Sequence, residues 1–285
     1  MARDDEQSTV FAKGAKKSNY SELHFIQLAP FRFLLGTVLR VALVTFLLLV
    51  SMDFTACNDH GGGSQPIAPV LLFNGTGTSP NDVRAVETIL NKGHVEYSTV
   101  NSSQLNNMNK SQLRGYRLLI VPGGNFLKMG NSLTTNTTVN IRNAVHNGLN
   151  YLGICAGALL AGNSPANGLN MTEGVHFPFY SVVNQGIHKA ATPIVVMGGP
   201  TLEHYWEDGP ELTGWGAIVG KYPNGTPAIV EGNYGSGWVI LSGVHPEAPS
   251  NWRRGMTFTT PASADNDYAW TLIDAALNRV ALPHF

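Results

Sequence analysis

Charge is sparse in this 285-residue chain. Asp, Glu, Lys and Arg make up 13% of it, and the formal net charge is −1. There is no basic surplus to meet a phosphate backbone, so nothing in the composition points to nucleic acid. Cysteine is rarer still, with Cys57 and Cys155 alone. That excludes a disulfide-built scaffold. One bridge remains formally open, but Cys57 lies in a glycine-rich stretch and Cys155 is expected at the base of a pocket, so none is expected. Gly75-Thr76-Gly77 falls short of a phosphate-binding loop, and no nucleotide or other cofactor is expected. His176, His188 and His204 lie among Glu203, Tyr205, Trp206, Glu207 and Asp208 without a recognised ligand spacing, so no metal is expected either. Internal repeats are absent.

What remains is a globular composition, 43% hydrophobic, with enough apolar residues for a real core. The first forty residues lean basic, with Lys13, Lys16, Lys17, Arg32 and Arg40, and an apolar block, Val41 to Val50, follows. The block is too short to span a bilayer and suits the core of a signal peptide. Phe54-Thr55-Ala56-Cys57 then resembles a bacterial lipobox, in which the cysteine is lipidated and becomes the mature N-terminus. Asn58 to Pro66 looks like the flexible tether that follows such an anchor. The expected organisation is a signal peptide or membrane anchor over 1–56, a tether over 57–67 and one domain over 68–285. Lipidation at Cys57 would hold the protein at the cell membrane or outer membrane, facing away from the cytoplasm. The alternative is a single-pass signal anchor over Phe33 to Met52.

From Ile67 the pattern alternates strand and helix. Strands are expected at Pro69–Phe73, Val95–Val100, Arg117–Val121 and Tyr151–Ile154, with helices over Asp82–Leu90 and Thr138–His146. Later strands are expected at Ile194–Met197, Gly216–Tyr222, Thr226–Val230 and Gly237–Leu241, before a closing helix over Asp265–Val280. The first half reads as βαβ units, hence a parallel sheet with helices on both faces. The second half adds an antiparallel extension and returns to the sheet.

The most informative stretch is Gly153-Ile154-Cys155-Ala156-Gly157-Ala158. It reads as a strand, one sharp turn carrying a cysteine, and a helix. Such a turn lifts a nucleophile out of the sheet, and a helix N-terminus favours thiolate. Gly243-Val244-His245-Pro246-Glu247 closes another apolar run. Sites in such sheets form at the carboxyl ends of strands. Cys155 would attack a carbonyl, His245 would accept its proton and return one to the leaving group, and Glu247 would fix the imidazole tautomer. Backbone N–H groups of Gly124 and Ala156 would hold the oxyanion.

Pro122-Gly123-Gly124-Asn125, Gly148 to Gly157, Gly198-Gly199-Pro200 and Leu241 to Glu247 resemble the class I glutamine amidotransferase-like superfamily. Within it, the similarity is greatest to the N-terminal domain of biotin–protein ligases and its stand-alone bacterial forms. The resemblance runs from Pro69 to Leu282. It implies an α/β, flavodoxin-like, doubly wound and mostly parallel sheet, with Cys155 as nucleophile, His245 as base and Glu247 as orienter. Glutaminases of this class usually carry a Gln near the nucleophile, where this chain has Ala158 and Leu159. Fold and triad therefore carry over better than glutaminase activity. Two function classes follow. One is a hydrolase or amide-transfer enzyme working through a thioester on a small amide-containing substrate. The other is a non-catalytic module that binds a small ligand or partner in the same pocket. A related type of cysteine peptidase places histidine directly after the cysteine, and Ala156 stands there instead.

Overall fold

Continuous apolar runs dictate the first half of the domain. The computed structural model describes residues 68–285, so the apolar block, Cys57 and the expected tether lie outside the described residues. Val70–Phe73 (β1), Leu118–Val121 (β3) and Asn150–Ile154 (β4) are buried at every position, as strands covered on both faces must be. Tyr97–Val100 (β2) lies at the edge. These strands pair in parallel as β2-β1-β3-β4, and Gly237–Ser242 (β9) adds to β4, also in parallel.

Alternation along the strands sends Val70 and Leu72 to one face and Leu71 and Phe73 to the other. Pro80–Lys92 (α1) and Ala262–Asn278 (α7) cover the first face through Val83, Val86, Ile89, Leu272 and Ile273. The second face is covered by Ser102–Asn106 (α2), Lys110–Leu113 (α3), Phe126–Ser132 (α4), Thr135–His146 (α5) and Ala156–Ala161 (α6).

β9 also pairs antiparallel with Pro227–Tyr234 (β8), and the sheet continues through Ala217–Lys221 (β7), Lys189–Val196 (β5) and Thr201–Glu207 (β6). The full order is β2-β1-β3-β4-β9-β8-β7-β5-β6. The sheet is α/β and mixed: parallel at one end, antiparallel at the other, with neither half dominant. The expected antiparallel extension is thus larger than a mostly parallel sheet would carry, because β6 is an additional strand. Its inward positions are Leu202, His204 and Trp206, and a histidine in the middle slot breaks the apolar alternation that marks a strand. His204 is fully buried beside Asp265, 3.5 Å away. Trp206, Trp215 and Tyr180 are buried in the core. No helix among the described residues is long and apolar enough to cross a membrane.

Candidate functional site

Parallel strands all point their carboxyl ends to one end of the sheet, and four of them converge on one place, three through side chains that follow them and one through backbone. β4 ends at Cys155, which stands between strand and α6 with φ 50° and ψ −104°. Positive φ at a non-glycine residue is a strained conformation that tertiary structure must hold. Here the Cys155 N–H donates to Ser242 O at 2.7 Å, which locks the turn against the end of β9. Gly157 lets α6 pack this close. A Cβ there would collide with the backbone carbonyl of Val121.

β9 ends at Ser242, and the chain turns through His245 to Glu247. The Ser242 hydroxyl donates to Val244 O at 2.8 Å, and the His245 N–H donates to Tyr205 O on β6 at 2.8 Å. His245 Nδ1 lies 2.9 Å from Glu247 Oε1. Both side chains are buried, as is Cys155. The Cys155 thiol, 3.5 Å from the backbone oxygen of Glu207, opens into the same cavity as His245. That cavity measures about 400 Å³, and Ser79, Gly124, Phe126, Phe179 and Asp208 also line it. A larger and more open hollow of about 670 Å³ lies over Gly75–Thr78 and Ser102, with Arg84 as its one charged lining residue and no nucleophile paired with a base.

β3 ends in Pro122-Gly123-Gly124. No acceptor among the described residues takes the N–H of Gly124, which lines the cavity, and the N–H of Ala156 heads α6, where helices leave such groups unpaired.

The fourth strand, β1, supplies a residue that sequence reasoning read only as part of a helix start. Ser79 caps α1, its side chain accepting from the Asp82 N–H, and this sets Asp82 in the first turn. The Asp82 carboxylate is buried, with Oδ1 3.1 Å from the same His245 Nδ1 that meets Glu247. Two carboxylates thus converge on one ring nitrogen. Burial disfavours the imidazolium, yet the charges of Cys155 and Glu247 and the contact with Asp82 hold the His245 pKa well above its ordinary 6.5. Burial pushes the Asp82 carboxyl up, but the contact with His245 and its charge outweigh it and hold the pKa below the usual carboxylate value. Burial pushes the Glu247 carboxyl up despite the same imidazole.

Asp82, His245 and Glu247 have donor atoms within 4.8 Å of one another and form the group among the described residues with the composition of a cation site. The 2.9 Å separation at Nδ1 is a hydrogen bond with Glu247, and Asp82 Oδ1, 3.1 Å from the same nitrogen, is at ion-pair distance without completing a hydrogen bond. The other histidines among the described residues do not gather. His176 Nδ1 meets Asn163 O at 3.1 Å, and His188 Nδ1 pairs with Asp208 Oδ1 at 2.7 Å on the cavity rim. His204, on β6, is buried beside Asp265.

Residues 68–166 match the family described as biotin-protein ligase, N terminal. The match takes in β1 through α6, hence Cys155, and stops before β9 and His245. Among solved structures, a glutamine amidotransferase is 21% identical over 63% of this chain and 90% of its own, with a TM-score of 0.50. A putative GMP synthase protein from Thermoplasma acidophilum is 13% identical over 74% of this chain and 96% of its own, with a TM-score of 0.48. No curated protein matches. The chain is therefore similar to glutamine amidotransferase-like proteins in fold and, over residues 68–166, to the biotin–protein ligase N-terminal family in sequence, as its motifs imply.

Proposed function

We propose that this protein is a cysteine-dependent amide hydrolase or amidotransferase on a flavodoxin-like sheet, tethered outside the cytoplasm through Cys57. The observation that carries the reading is Cys155. It is held at positive φ on a strand-to-helix turn and opens into the cavity that His245 lines. A buried structural cysteine needs no such strain. The order β2-β1-β3-β4 supports the flavodoxin-like description, with the site at the strand ends.

The chemistry runs in two balanced stages. His245 takes the Cys155 proton. The thiolate adds to the amide carbonyl carbon, forming a C–S bond, and the carbonyl π pair moves onto oxygen beside the N–H groups of Gly124 and Ala156. Collapse breaks the C–N bond as His245 gives its proton to the departing nitrogen, which leaves as ammonia or an amine. A thioester remains. Water, deprotonated by His245, then displaces the sulfur, which recovers its proton as the acid leaves. In transfer, an acceptor amine takes the place of water.

The test is chemical trapping followed by a substrate screen. In the protein from Cys57 to Phe285, iodoacetamide should alkylate Cys155 rapidly even at pH 6, and His245→Ala should slow the reaction by about an order of magnitude or more. A panel of amides and peptides then defines the substrate. Alkylation at an ordinary thiol rate that ignores His245→Ala would leave a binding module on the same fold.

A further inference from the structure

The glutamine amidotransferase-like arrangement accounts for one carboxylate on the histidine, and this structure has two. Glu247 reaches His245 from two residues along its own segment. Asp82 reaches it from α1, across the sheet ends, and both carboxylates meet the same nitrogen. The approach depends on the residue between them. A Cβ on Gly123 would collide with Asp82 Oδ1 and with His245 Cε1, so this position in the Pro122-Gly123-Gly124 turn must lack a side chain for the contact to exist. Asp82 Oδ1 and Glu247 Oε2 are buried and have no hydrogen-bond partner among the described residues. Leaving buried carboxylate oxygens in this state costs free energy unless a cation or proton is held between them.

We propose that Asp82 is a second positioning residue of the site: Glu247 takes the Nδ1–H of His245, so that Nε2 is presented to Cys155, and Asp82 sets a second carboxylate against the same nitrogen, so that the imidazolium is retained after the thiol loses its proton. This rests on the reading of Cys155 and His245 as the reacting pair. A single orienting carboxylate fixes the tautomer but lets the ring pivot about one hydrogen bond. A second carboxylate from another element, in contact with the same nitrogen, holds the ring against that pivot by charge. It also adds one more negative charge at contact distance, where the attraction for an imidazolium is large.

The groups that face the ring are accounted for on every side. α1 supplies Asp82, and the segment after β9 supplies Glu247. The turn before α6 supplies Cys155. β6 supplies the Tyr205 ring, edge-on at 5.8 Å between centroids, and Trp252 lies at 5.9 Å. Farther out on the cavity wall, Glu207 is paired with Lys189 and Asp208 with His188. Of these carboxylates, only Asp82 and Glu247 touch the ring.

The experiment follows the imidazole itself. Full-length protein labelled on histidine nitrogen is titrated by NMR, with the His245 signals assigned by their loss in His245→Ala. In Asp82→Asn the His245 midpoint should move to lower pH by about one unit or more. Asp82→Glu should recover part of the shift. Asp82→Ser, which also suits a first helical turn, gives the same readout should the Asn variant fold poorly. A merely helix-stabilising Asp82 would lower melting temperature without moving the His245 midpoint, and an unmoved midpoint overturns the proposal. Turnover is not the readout. A His245 that responds to Asp82 beside a Cys155 of ordinary reactivity would sink the hydrolase reading and leave the role of Asp82 standing.

Discussion

The buried hydroxyl of Tyr151 donates a 2.8 Å hydrogen bond to the carbonyl of Gly157, tying the strand before Cys155 to the helix after it. The bond spans the strained turn from inside the core, so the geometry of the thiol is set from below as well as by Ser242 from the side. Tyr151→Phe leaves that carbonyl without its donor. The expected cost is about 1–2 kcal/mol in a denaturant melt, together with slower Cys155 alkylation. A variant as stable and as reactive as the parent would show that the bond does not hold the turn.

Cys155→Ser changes one atom at the turn and should cost under about 1 kcal/mol. Gly157→Val drives a branched side chain into the Val121 carbonyl, which is backbone and cannot swing away. That should cost roughly 1–3 kcal/mol or more. Melting temperatures within a degree or two of each other would contradict the close packing of α6 on β3.

His245 retains its proton in the folded state well above 6.5, whereas the unfolded chain releases it near that value. The folded form therefore binds more protons above about pH 6.5, and its stability should fall as pH rises from there towards the folded pKa. Asp82 acts in the opposite range. Its depressed pKa contributes stability that is lost as pH falls through that value. Urea midpoints measured from pH 6 to 9 should decline in the parent and flatten in His245→Gln. Parallel slopes in the two proteins would mean that His245 is not the group responsible.

Intact mass spectrometry of membrane-extracted protein should find a diacyl or triacyl group on Cys57 and no residue before it. A chain still carrying Arg40 would point instead to an uncleaved signal anchor.

The parts of this molecule that are legible in the sequence are those whose reasons are local. β1, β3 and β4 announce themselves because strands covered on both faces must be apolar throughout. Cys155 and His245 stand out because small residues and a proline surround them at strand ends. α2 and α3 go unread although Asn101 with Gln104, and Asn109 with Gln112, form reciprocal caps at the spacing that marks a helix start. Their brevity and their lack of an apolar stripe hide them. Asp82 was out of reach for a different reason. An acid in a first helical turn has a sufficient local explanation, and only the folded chain brings it to His245, far along the sequence.

The hydrogen bond from His245 to Tyr205 joins two halves of the sheet that answer to different demands. Everything that would break and make bonds is hung from the parallel strands, whose spacing is fixed by helices on both faces. Glu207 and Asp208 come from the end of β6, the outermost strand of the antiparallel half. An edge strand can change length, charge or tilt without disturbing the order of the others. β6 is nonetheless not a free border: Tyr205 O holds the His245 N–H and Glu207 O meets the Cys155 thiol, so revising this one edge strand would move the cavity wall and the two side chains at its base together.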